Sequence, residues 1–428
     1  MPAQADPLPP TSGTFDVLSY NIAGLPALIS SAKTDRKTSS VAIGERIGGY
    51  GLVQVQEDFN YHAYLYRNNT HPFRTATSGG AGIGSGLNTL SKFPWDASTF
   101  QRVKWKACEW ASADCLTPKG FTFMRMQVGA GAVIDVYNVH TNAGDTPVEI
   151  KARSKNLEQL RAFVAANSAG NAVLVVGDTN ARYTRAEDKI AEFADSLGLT
   201  DAWVENRRAG VRPVKGSDAI VCDDNAPTSD CEVVDKILYR GSSVLSLTAS
   251  NYRNVHSDFT NAAGEMLSDH FPIAATLSWS LANQRRVSDQ VGGTGGAPFT
   301  DATALPAAST PAVAEVALRG GARLDAVQMS YANGLNVAHG GNGGDRYALT
   351  LSAGEYPVSA EWCTGSRKGG TRIFYGQIVT NLNRSVTAGV RTGSCVTQTA
   401  PDGWRIAGFQ GRSGAEVDRI GVLYAPVS

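Results

Sequence analysis

The pattern of apolar and polar residues divides the first two thirds of the chain into alternating strands and helices. Runs in which every second residue is apolar, or all residues are apolar, predict strands, whereas apolar residues three or four positions apart predict helices. The predicted strands cover residues 15–20, 52–55, 133–139, 172–176 and 233–239, and the predicted helices cover 40–50, 149–166 and 186–197. Alternation of this kind is typical of a layered α/β domain.

The pattern changes between about residues 281 and 312. A strand-like run closes at Leu277-Ser278-Trp279, and the chain then becomes rich in Gly, Ala, Pro, Ser and Thr, a composition typical of linkers and loops. Beyond residue 313 short strands alternate with turns of Gly, Asn and Ser, and no segment has a convincing helical period. This part of the chain is predicted to be an all-β domain.

Composition indicates a globular protein with more than one domain. The 428 residues exceed one ordinary core, and 42% of them are hydrophobic while 18% are charged. Lys plus Arg and Asp plus Glu each total 39, so the zero net charge gives no bulk preference for nucleic acid, although it is compatible with a local basic groove. No stretch approaches the ~20 apolar residues of a transmembrane helix, and residues 1–7 lack the charged-then-apolar pattern of a signal peptide.

The six cysteines fall into local pairs along the chain. The pairs are Cys108 with Cys115, Cys222 with Cys231, and Cys363 with Cys395. None has the Cys-x-x-Cys spacing of a zinc site, and buried free thiols are the alternative to disulfides. We favour three disulfides that staple loops. They indicate an oxidising compartment, and therefore a secreted protein whose signal peptide is absent from this chain.

Polar residues suited to catalysis stand at the ends of the predicted strands. The clusters contain Asn21, Glu57, His140, Asp178 with Asn180, and Asp269 with His270. Side chains at such positions can converge although they come from separate strands. Each cluster alone also has a structural reading: His140 suits a hydrogen-bonded strand end, and Asp178-Thr179-Asn180 suits an Asx turn. Five clusters in this order indicate an active site.

The residue types indicate which chemistry such a site performs. Glu57, Asp178 and Asn180 supply hard oxygen ligands, which suit Mg²⁺ or Ca²⁺ better than zinc. His140 and His270 are then left for proton transfer or charge stabilisation. A metal-activated water, a histidine base and amide donors together meet the requirements of phosphodiester hydrolysis.

The order of these motifs resembles the endonuclease/exonuclease/phosphatase superfamily, which has the deoxyribonuclease I-like fold. The motifs are Leu-Ser-Tyr-Asn21, Val-Gln-Glu57-Asp, Tyr-Asn-Val-His140-Thr-Asn, Val-Gly-Asp178-Thr-Asn180, Val-Asp235-Lys-Ile-Leu and Ser-Asp269-His270-Phe-Pro. The resemblance covers about residues 14–281 and implies a four-layer α/β sandwich in which two sheets pack between helices. It also implies a divalent cation, Mg²⁺ or Ca²⁺ with Mn²⁺ as a further option, held chiefly by Glu57 and assisted by Asn21 and Asp269.

The same resemblance implies roles for the remaining motif residues. Asp178 and Asn180 would orient the water and the phosphate. Asp235 would support the imidazole of His270 as the general base, although Val-Asp-Lys-Ile stands here in place of the more usual Asp-Tyr-Ile. His140 would stabilise the pentavalent phosphate or the leaving oxygen.

Within this superfamily, the segment before the His140 strand is similar to secreted bacterial neutral sphingomyelinase C enzymes. The likeness lies in the Gly-rich stretch 82–94 and in Lys119-Gly120-Phe121 after the first cysteine pair. It implies phospholipase C-type chemistry in which Lys119 offers a positive charge to a phosphate, and a solvated loop lysine is the alternative. Residues 236–268 lack the paired aromatic hairpin that those enzymes push into bilayers.

Aromatic residues flank the first cysteine pair. They are Phe100, Trp105 and Trp110. They suit either an apolar lip that faces a membrane or packing of the loop around a disulfide. We favour packing.

The C-terminal part, about residues 289–427, resembles jacalin-type lectins. The motifs are Gly292-Gly293-Thr294-Gly295-Gly296, His339–Gly344, Leu351–Tyr356, Val379-Thr380-Asn381 and Gly408–Gly421. The resemblance implies a β-prism of three Greek-key sheets with a sugar site made of an early Gly loop and a Gly-x-x-x-Asp loop. The residues at those positions are Gly295, Gly296, Gly414, Ala415, Glu416 and Asp418. A purely structural prism is the alternative.

Together these features predict a secreted, metal-dependent phosphodiesterase domain at 14–281, a linker at 282–288 and a lectin domain at 289–427. The expected substrate is a phospholipid at a membrane surface, cleaved as by a sphingomyelinase or phospholipase C, with inositol- or sugar-containing head groups included. The lectin domain is expected to bind a glycan, and the protein is expected to be a monomer. The alternatives are a secreted deoxyribonuclease or ribonuclease, and a lectin adhesin or toxin with a vestigial catalytic fold.

Overall fold

The computed structural model describes residues 9–26, 28, 30–79, 84–109, 114–224 and 226–427. Residues 1–7, Gly82, Ile83 and Trp110, which enter the sequence-based predictions, lie outside this range. Helices and strands alternate as far as residue 281, and strands dominate from residue 286 onward. This order agrees with the division that the hydrophobic pattern predicts.

The N-terminal part contains strands and helices of unequal length. Its strands are β1 (Ser12–Asn21), β2 (Leu52–Gln56), β3 (Phe73–Arg74), β4 (Asn88–Ser91), β5 (Trp95–Lys104), β6 (Gly120–Gly129), β7 (Ala132–His140), β8 (Ala172–Asp178), β9 (Thr200–Asp201), β10 (Asp235–Arg240), β11 (Leu245–Asn254) and β12 (Ile273–Leu281). Its α-helices are α1 (Arg36–Arg46), α2 (His62–Tyr66), α3 (Pro147–Asn167), α4 (Ile190–Leu197) and α5 (Ala202–Arg207). None of the helices in the described ranges combines the length and the apolar character needed to span a bilayer.

These strands form two six-stranded sheets, with the orders β11-β12-β1-β2-β4-β3 and β5-β6-β7-β8-β10-β9. The strands β1 and β2 are parallel in the first sheet, as are β7 and β8 in the second. The sheets face each other, because β1 contacts β8 and β2 contacts β7 and β8. The carboxyl ends of both parallel pairs therefore meet at one edge of the paired sheets.

Apolar side chains fill the space between the sheets and the helices. The fully buried Val17 of β1 and Val175 of β8 belong to one cluster, while Leu18 of β1 and Ile43 of α1 belong to another. The ring of Phe163 on α3 packs against aromatic rings of β6 and β7. Each fully buried aliphatic or aromatic side chain contributes roughly 1.5–3 kcal/mol to folding. The four-layer order of the sandwich stays a prediction.

Helix α4 begins at Ile190, so the helix predicted at 186–197 starts four residues too early. The cause is Asp188, whose buried carboxylate accepts hydrogen bonds from the backbone N–H of Arg182 and from the side chains of Arg153 and Arg185. These contacts hold the preceding residues in an irregular turn. Since Arg153 lies on α3, the local period does not reveal this constraint.

The C-terminal part is built from strands in three antiparallel sheets. Its strands are β13 (Arg286–Val287), β14 (Val291–Gly292), β15 (Ala297–Thr300), β16 (Val313–Gly320), β17 (Leu324–Tyr331), β18 (Asn336–Gly340), β19 (Asp345–Thr350), β20 (Pro357–Arg367), β21 (Gly370–Thr380), β22 (Ser385–Gly389), β23 (Ser394–Thr399), β24 (Trp404–Ser413) and β25 (Val417–Pro426). The sheet orders are β13-β25-β24-β15 with β14 beside β25, β18-β17-β16-β19, and β22-β21-β20-β23. The fully buried Trp362 packs edge-on against Phe409, with ring centroids 6.0 Å apart, and joins two of the sheets.

The C-terminal sheets lie against the end of the second sheet that is opposite the carboxyl end of β7. The side chain of Arg286 donates to the carbonyl of Ala130, in the turn before β7. Nη1 of Arg412 donates to the carbonyl of Ala166, in the last turn of α3, at 2.9 Å. Helix α3 therefore runs from the loop after His140 to the C-terminal sheets.

All three predicted disulfides are confirmed. Cys108 is bonded to Cys115, Cys222 to Cys231, and Cys363 to Cys395. The last bond joins neighbouring strands β20 and β23, where Cys363 and Cys395 are paired in register.

Removing the Cys363–Cys395 bond should destabilise the C-terminal sheets by about 3–4 kcal/mol, because a loop of 32 residues then gains conformational freedom in the unfolded chain. Thermal unfolding of the Cys363→Ala/Cys395→Ala double variant, followed by tryptophan fluorescence, measures the effect. The Cys222→Ala/Cys231→Ala variant is the matched control, since its bond closes only nine residues. An equal or larger loss of stability in that control would contradict the loop-length argument.

Candidate active site

The carboxyl-terminal edge of the paired sheets gathers the polar residues that the sequence places at strand ends. Asn21 is the last residue of β1, and His140 and Asp178 are the last residues of β7 and β8, where they lie opposite each other in register. Nδ2 of Asn21 donates to Oδ2 of Asp178 at 3.1 Å and lies 3.4 Å from Nε2 of His270. Side chains from both sheets thus meet in one cluster.

Asp235 and His270 form a hydrogen-bonded pair in this cluster. Asp235 begins β10 directly opposite Asp178, and its Oδ2 lies 3.0 Å from Nδ1 of His270. Nε2 of the same imidazole lies 3.8 Å from Oδ2 of Asp178, and the His270 side chain is 22% exposed. Burial would lower the pKa of His270, but the charges of Asp178 and Asp235 raise it to about 10. The imidazole is thus oriented at one nitrogen and open to the site at the other.

His140 differs from His270 in its electrostatics. Its side chain is buried, with Nε2 3.3 Å from Oδ2 of Asp178 and 3.8 Å from Oε1 of Glu57. Burial and the charge of Lys119 hold the pKa of His140 well below its ordinary value. The two histidines therefore differ in charge: His140 is held as a neutral imidazole, whereas the carboxylates beside His270 favour its protonated form.

Glu57 lies on a loop that is stabilised by hydrogen bonds to the backbone carbonyl of Glu57 itself. Its φ of 57° is in the left-handed region, and its carbonyl accepts the N–H groups of Gly24 and Phe59 at 2.9 and 2.8 Å. A Cβ atom at position 24 would lie 2.2 Å from that carbonyl oxygen, so glycine is required there. Burial raises the pKa of Glu57, while the charges of Lys119 and His270 oppose the rise. The carboxylate is thus held close to both cationic groups.

The Asp178-Thr179-Asn180 segment forms the Asx turn that its composition suggests. The backbone N–H of Asn180 donates to Oδ1 of Asp178 at 2.9 Å, and Asn180 has a φ of 48°. Nδ2 of Asn180 donates to the carbonyl of Thr141 at 3.3 Å. The interpretation of this segment as an Asx turn is therefore correct. The same turn brings Asn180 beside the loop that follows His140.

Lys119 is buried, with 8% of its surface exposed, so the solvated-loop alternative is wrong. Its charge acts on Glu57, His140 and Asp178, which places its ammonium group beside the cluster. Asp269, in contrast, is an exposed residue whose Oδ1 lies 3.4 Å from Oγ of Ser268. Its charge reaches Glu57, and it therefore lies at the rim of the site.

Trp105 packs inside the protein and does not form a membrane-facing lip. Its side chain is buried, and its ring centroid lies 5.2 Å from that of Phe121. Its Nε1 donates to the carbonyl of His140 at 2.6 Å and so fixes the end of β7. The packing interpretation is thus confirmed for Trp105.

Arg153 is a supporting residue that the sequence did not reveal. Its buried guanidinium contacts Asp188 at 2.6 Å and donates to the carbonyls of Asn142 and Gly144 at 3.2 and 2.7 Å. It thereby holds the loop that follows His140. The signal was an arginine among apolar positions on the inner side of a predicted helix, which requires a buried partner.

Carboxylate oxygens dominate the donor set of the cluster. Ligand atoms of Asp178, Asp235 and His270 all lie within 4.8 Å of one another. Oδ1 of Asp235 is buried and has no hydrogen-bond partner among the described residues. Oxygen-rich groups with spare lone pairs fit a hard divalent cation. Asn21 is placed with Oδ1 accepting from the N–H of Ala23 and with its amide nitrogen toward the cluster.

The predicted sugar-binding residues converge at one end of the C-terminal sheets. Cβ atoms at Gly295 and Gly296 would lie 2.4 and 2.5 Å from the carboxylate oxygens of Asp418, so the glycine loop closes directly on that carboxylate. The N–H of Gly414 donates to the carbonyl of Glu416 at 3.0 Å. The carbonyl oxygen of Ala415 lies against Gly341, where a Cβ atom would be only 2.3 Å from it.

Without bound metal ions, the protein's stability should depend on pH through His270. The pKa of His270 is raised from 6.5 to about 10, so the folded protein holds this proton more tightly than the unfolded chain. The contribution is fully present below about pH 6.5 and is lost as the pH rises toward about 10. We expect the Tm of EDTA-treated protein to fall more steeply over this window than the Tm of His270→Gln. Parallel pH profiles would contradict the expectation.

Family models match both parts of the chain. Residues 31–206 match Endonuclease/Exonuclease/phosphatase family 2, and residues 288–423 match the jacalin-like lectin domain. The chain therefore carries a jacalin-like lectin domain, preceded by a segment that matches the endonuclease/exonuclease/phosphatase family.

Known proteins are similar to each part separately. The sphingomyelinases of Mycobacterium tuberculosis and Mycobacterium bovis are each 39% identical over 279 residues, which is 64% of this chain and 54% of theirs. The chain thus spans about half the length of these relatives. Horcolin of Hordeum vulgare is 32% identical over 112 residues, which is 25% of this chain and 77% of horcolin.

Solved lectin structures are similar to about a third of the chain. A Malaysian banana lectin is 28% identical and covers 33% of this chain and 98% of its own, with a TM-score of 0.29. A mannose-binding jacalin-related lectin from Ananas comosus is 23% identical and covers 33% of this chain and 99% of its own, with a TM-score of 0.30.

Proposed function

We propose that this chain is a secreted phosphodiesterase that depends on a divalent cation and cleaves a phospholipid in the manner of a sphingomyelinase or phospholipase C. The observation that carries the proposal is the meeting of the Asp235–His270 pair with His140, Glu57 and Asp178 at one edge of the paired sheets. The 39% identity to sphingomyelinases over 279 residues supports the substrate class. The disulfides support an oxidising compartment.

The cation is proposed to bind at this edge through Glu57, with Asp269 assisting. Asn21 would assist with its amide turned so that Oδ1, which now accepts from Ala23, faces the cluster. The alternative ligand set is Asp178 with Asp235 and His270, whose ligand atoms lie within 4.8 Å of one another. Mg²⁺ or Ca²⁺ suits either set, with Mn²⁺ as a further option. When bound, such an ion lowers the pKa of water and neutralises charge on the phosphate.

His270 is proposed to act as the general base in the hydrolysis. The charges of Asp178 and Asp235 raise the pKa of His270 in the metal-free protein, and a cation beside these carboxylates would lower it again. Nε2 would then remove a proton from water, while Asp235 fixes Nδ1 and stabilises the imidazolium that forms. The water oxygen bonds to phosphorus as the bond from phosphorus to the lipid alcohol breaks in line, and the alcohol oxygen takes up a proton. Asp178 and Asn180 orient the water and the phosphate.

Charge on the phosphate is proposed to be stabilised by His140 and Lys119. His140 is neutral, since its pKa is held low by burial and by Lys119, and it can donate an N–H to a phosphate oxygen. The buried ammonium of Lys119 supplies a compact positive charge. Because both groups are fixed before the substrate arrives, they require little reorganisation during the reaction.

The part at 289–427 is proposed to bind a glycan and to bring the phosphodiesterase domain at 14–281 to a glycan-bearing surface. The likeness to a jacalin-like lectin domain over residues 288–423 supports this role. The closure of Gly295 and Gly296 on Asp418 gives backbone N–H groups and a carboxylate in one place.

The test is a substrate panel assayed with Mg²⁺, Ca²⁺ or Mn²⁺. Vesicles of sphingomyelin, phosphatidylcholine and phosphatidylinositol are compared with plasmid DNA and RNA, for the wild type, for His270→Ala and for Arg161→Gln as a surface control. We expect release of a phosphorylated head group that is lost in His270→Ala and kept in Arg161→Gln. Degradation of nucleic acid alone would replace the lipid proposal with a nuclease, and no hydrolysis of any phosphoester would overturn both.

A further inference from the structure

The hairpin tip beside the predicted sugar loop is rich in basic residues. Strands β20 and β21 are joined by a hairpin whose tip, residues 366–372, reads Ser-Arg-Lys-Gly-Gly-Thr-Arg and contains no acidic residue. We call this segment the basic tip. A Cβ atom at Gly293 would lie 2.3 Å from the carbonyl oxygen of Thr371, so the basic tip touches the Gly292–Gly296 loop directly.

The two acidic side chains of the sugar site are already engaged by arginines. Nε of Arg372 lies 2.9 Å from Oδ1 of Asp418 and 3.5 Å from Oε1 of Glu416. Arg323 also contacts Glu416, and Nη1 of Arg367 lies 3.3 Å from both oxygens of the same carboxylate. Both oxygens of Glu416 and Oδ1 of Asp418 are therefore engaged, which leaves fewer acceptors for sugar hydroxyls.

The pKa values of the two carboxylates depart from their ordinary values in opposite directions. Burial would raise the pKa of Glu416, but the hydrogen bond and charge of Arg323, with the charges of Arg367 and Arg372, keep it below its ordinary value. Burial raises the pKa of Asp418, and the charge of Arg372 opposes the rise. Glu416 is thus committed to the arginines as an anion.

Most of the side-chain groups left for a ligand are donors. Arg372 uses Nε for the carboxylates and Nη1 for the carbonyl of Thr371, and its Nη2 donates to no other residue in the described ranges. The Arg367 side chain is 40% exposed, with its hydrogen bonds to described residues made through Nη1 alone. Lys368 is exposed between them. Guanidinium groups with N–H donors still to spare bind carboxylate, sulfate or phosphate through paired N–H groups.

The net charge around the site also favours an acidic ligand. Asp325 adds a third carboxylate on the side of Arg323, so the three arginines are matched by Glu416, Asp418 and Asp325. Lys368 then leaves the basic tip with a surplus positive charge. The segment that carries this surplus touches the Gly292–Gly296 loop through Thr371.

We propose that this site selects a saccharide that carries an acidic group, which the basic tip grips, over a neutral hexose. The proposal rests on the proposed lectin function and names the ligand class of the same site. Arg367, Lys368 and Arg372 hold the acidic group, and the backbone N–H groups of the Gly292–Gly296 loop orient the sugar ring.

The test is calorimetric titration of the full chain with three related sugars: lactose, sialyllactose and sulfated lactose. We expect the acidic sugars to bind at least about tenfold more tightly than lactose, the low end for hydrogen bonds to charged groups, and to lose affinity in high salt. The Arg367→Gln/Lys368→Gln variant should lose most of this preference. Arg391→Gln is the matched control, because Arg391 is 58% exposed and paired with Glu361 elsewhere in the same sheet.

Each of the other possible outcomes would overturn the inference. If lactose binds as tightly as the acidic sugars, the inference fails while the lectin proposal stands. If the acidic sugars bind equally well to Arg367→Gln/Lys368→Gln, the basic tip is not their site and the inference also fails. If none of these sugars binds, and a panel of neutral mannosides and galactosides also fails to bind, both the inference and the lectin proposal are wrong. This conclusion does not depend on the phosphodiesterase assays.

Discussion

Replacing His270 by alanine is expected to lower the rate of phosphodiester hydrolysis by ~10²–10⁴-fold, the usual contribution of a positioned general base. The imidazole is held by Asp235 at 3.0 Å and leaves Nε2 facing the cluster, so no other described side chain duplicates its position. The rate of head-group release under saturating cation, together with the thermal stability of the variant, measures the effect.

A graded series separates catalysis from folding. Asp235→Asn keeps the shape of the pair but removes the charge that stabilises the imidazolium, so its rate should lie between those of the wild type and His270→Ala. Arg161→Gln, on the exposed side of α3, should leave the rate unchanged. A His270→Ala enzyme that is stable and retains more than about a tenth of the wild-type rate would exclude this histidine as the base.

Replacing Glu57 by glutamine is expected to weaken cation binding by at least ~10–100-fold and to lower the rate with it, because a neutral amide replaces a carboxylate at the proposed ion site. Titration of the apo-protein with Mg²⁺ or Ca²⁺ gives the affinity, and rates at increasing cation concentration show whether activity is recovered. Glu158→Gln is the matched control, since that carboxylate is 63% exposed on α3.

The two ligand sets make opposite predictions in this experiment. If Glu57→Gln keeps its cation affinity while Asp178→Asn and Asp235→Asn lose theirs, the ion belongs to the group formed by Asp178, Asp235 and His270. If all three variants keep their affinity, neither set holds the ion. The proposed metal dependence would then be wrong at this edge of the sheets.

The strands that carry the site could be predicted because their patterns are local. The segment 172–176 is uninterruptedly apolar, as expected of a strand covered on both faces, and it lies within β8. Its neighbour β7 is parallel to it, so the polar residues that end both strands had to meet at one edge. The meeting of His140 and Asp178 follows from this geometry alone.

Contacts between distant segments could not be predicted in the same way. The late start of α4 depends on Asp188 meeting an arginine from another helix, and the burial of Lys119 depends on how the loop before β6 folds over the cluster. The arginines around Glu416 come from separate hairpins, at positions 323, 367 and 372. A period of two or 3.6 residues carries no information about such pairings.

Helix α3 sets the distance between the two proposed binding sites. Its first turn follows the loop after His140, and its last turn is tied by Arg412, which donates to the carbonyls of both Ala166 and Gly295. Its 21 residues span about 30 Å, several times the width of one phospholipid head group. A glycan held at the far end therefore lies well beyond the phosphate of the lipid being cleaved. The lectin would act as a tether that raises the local concentration of enzyme over many lipids, leaving the choice of substrate to the catalytic edge.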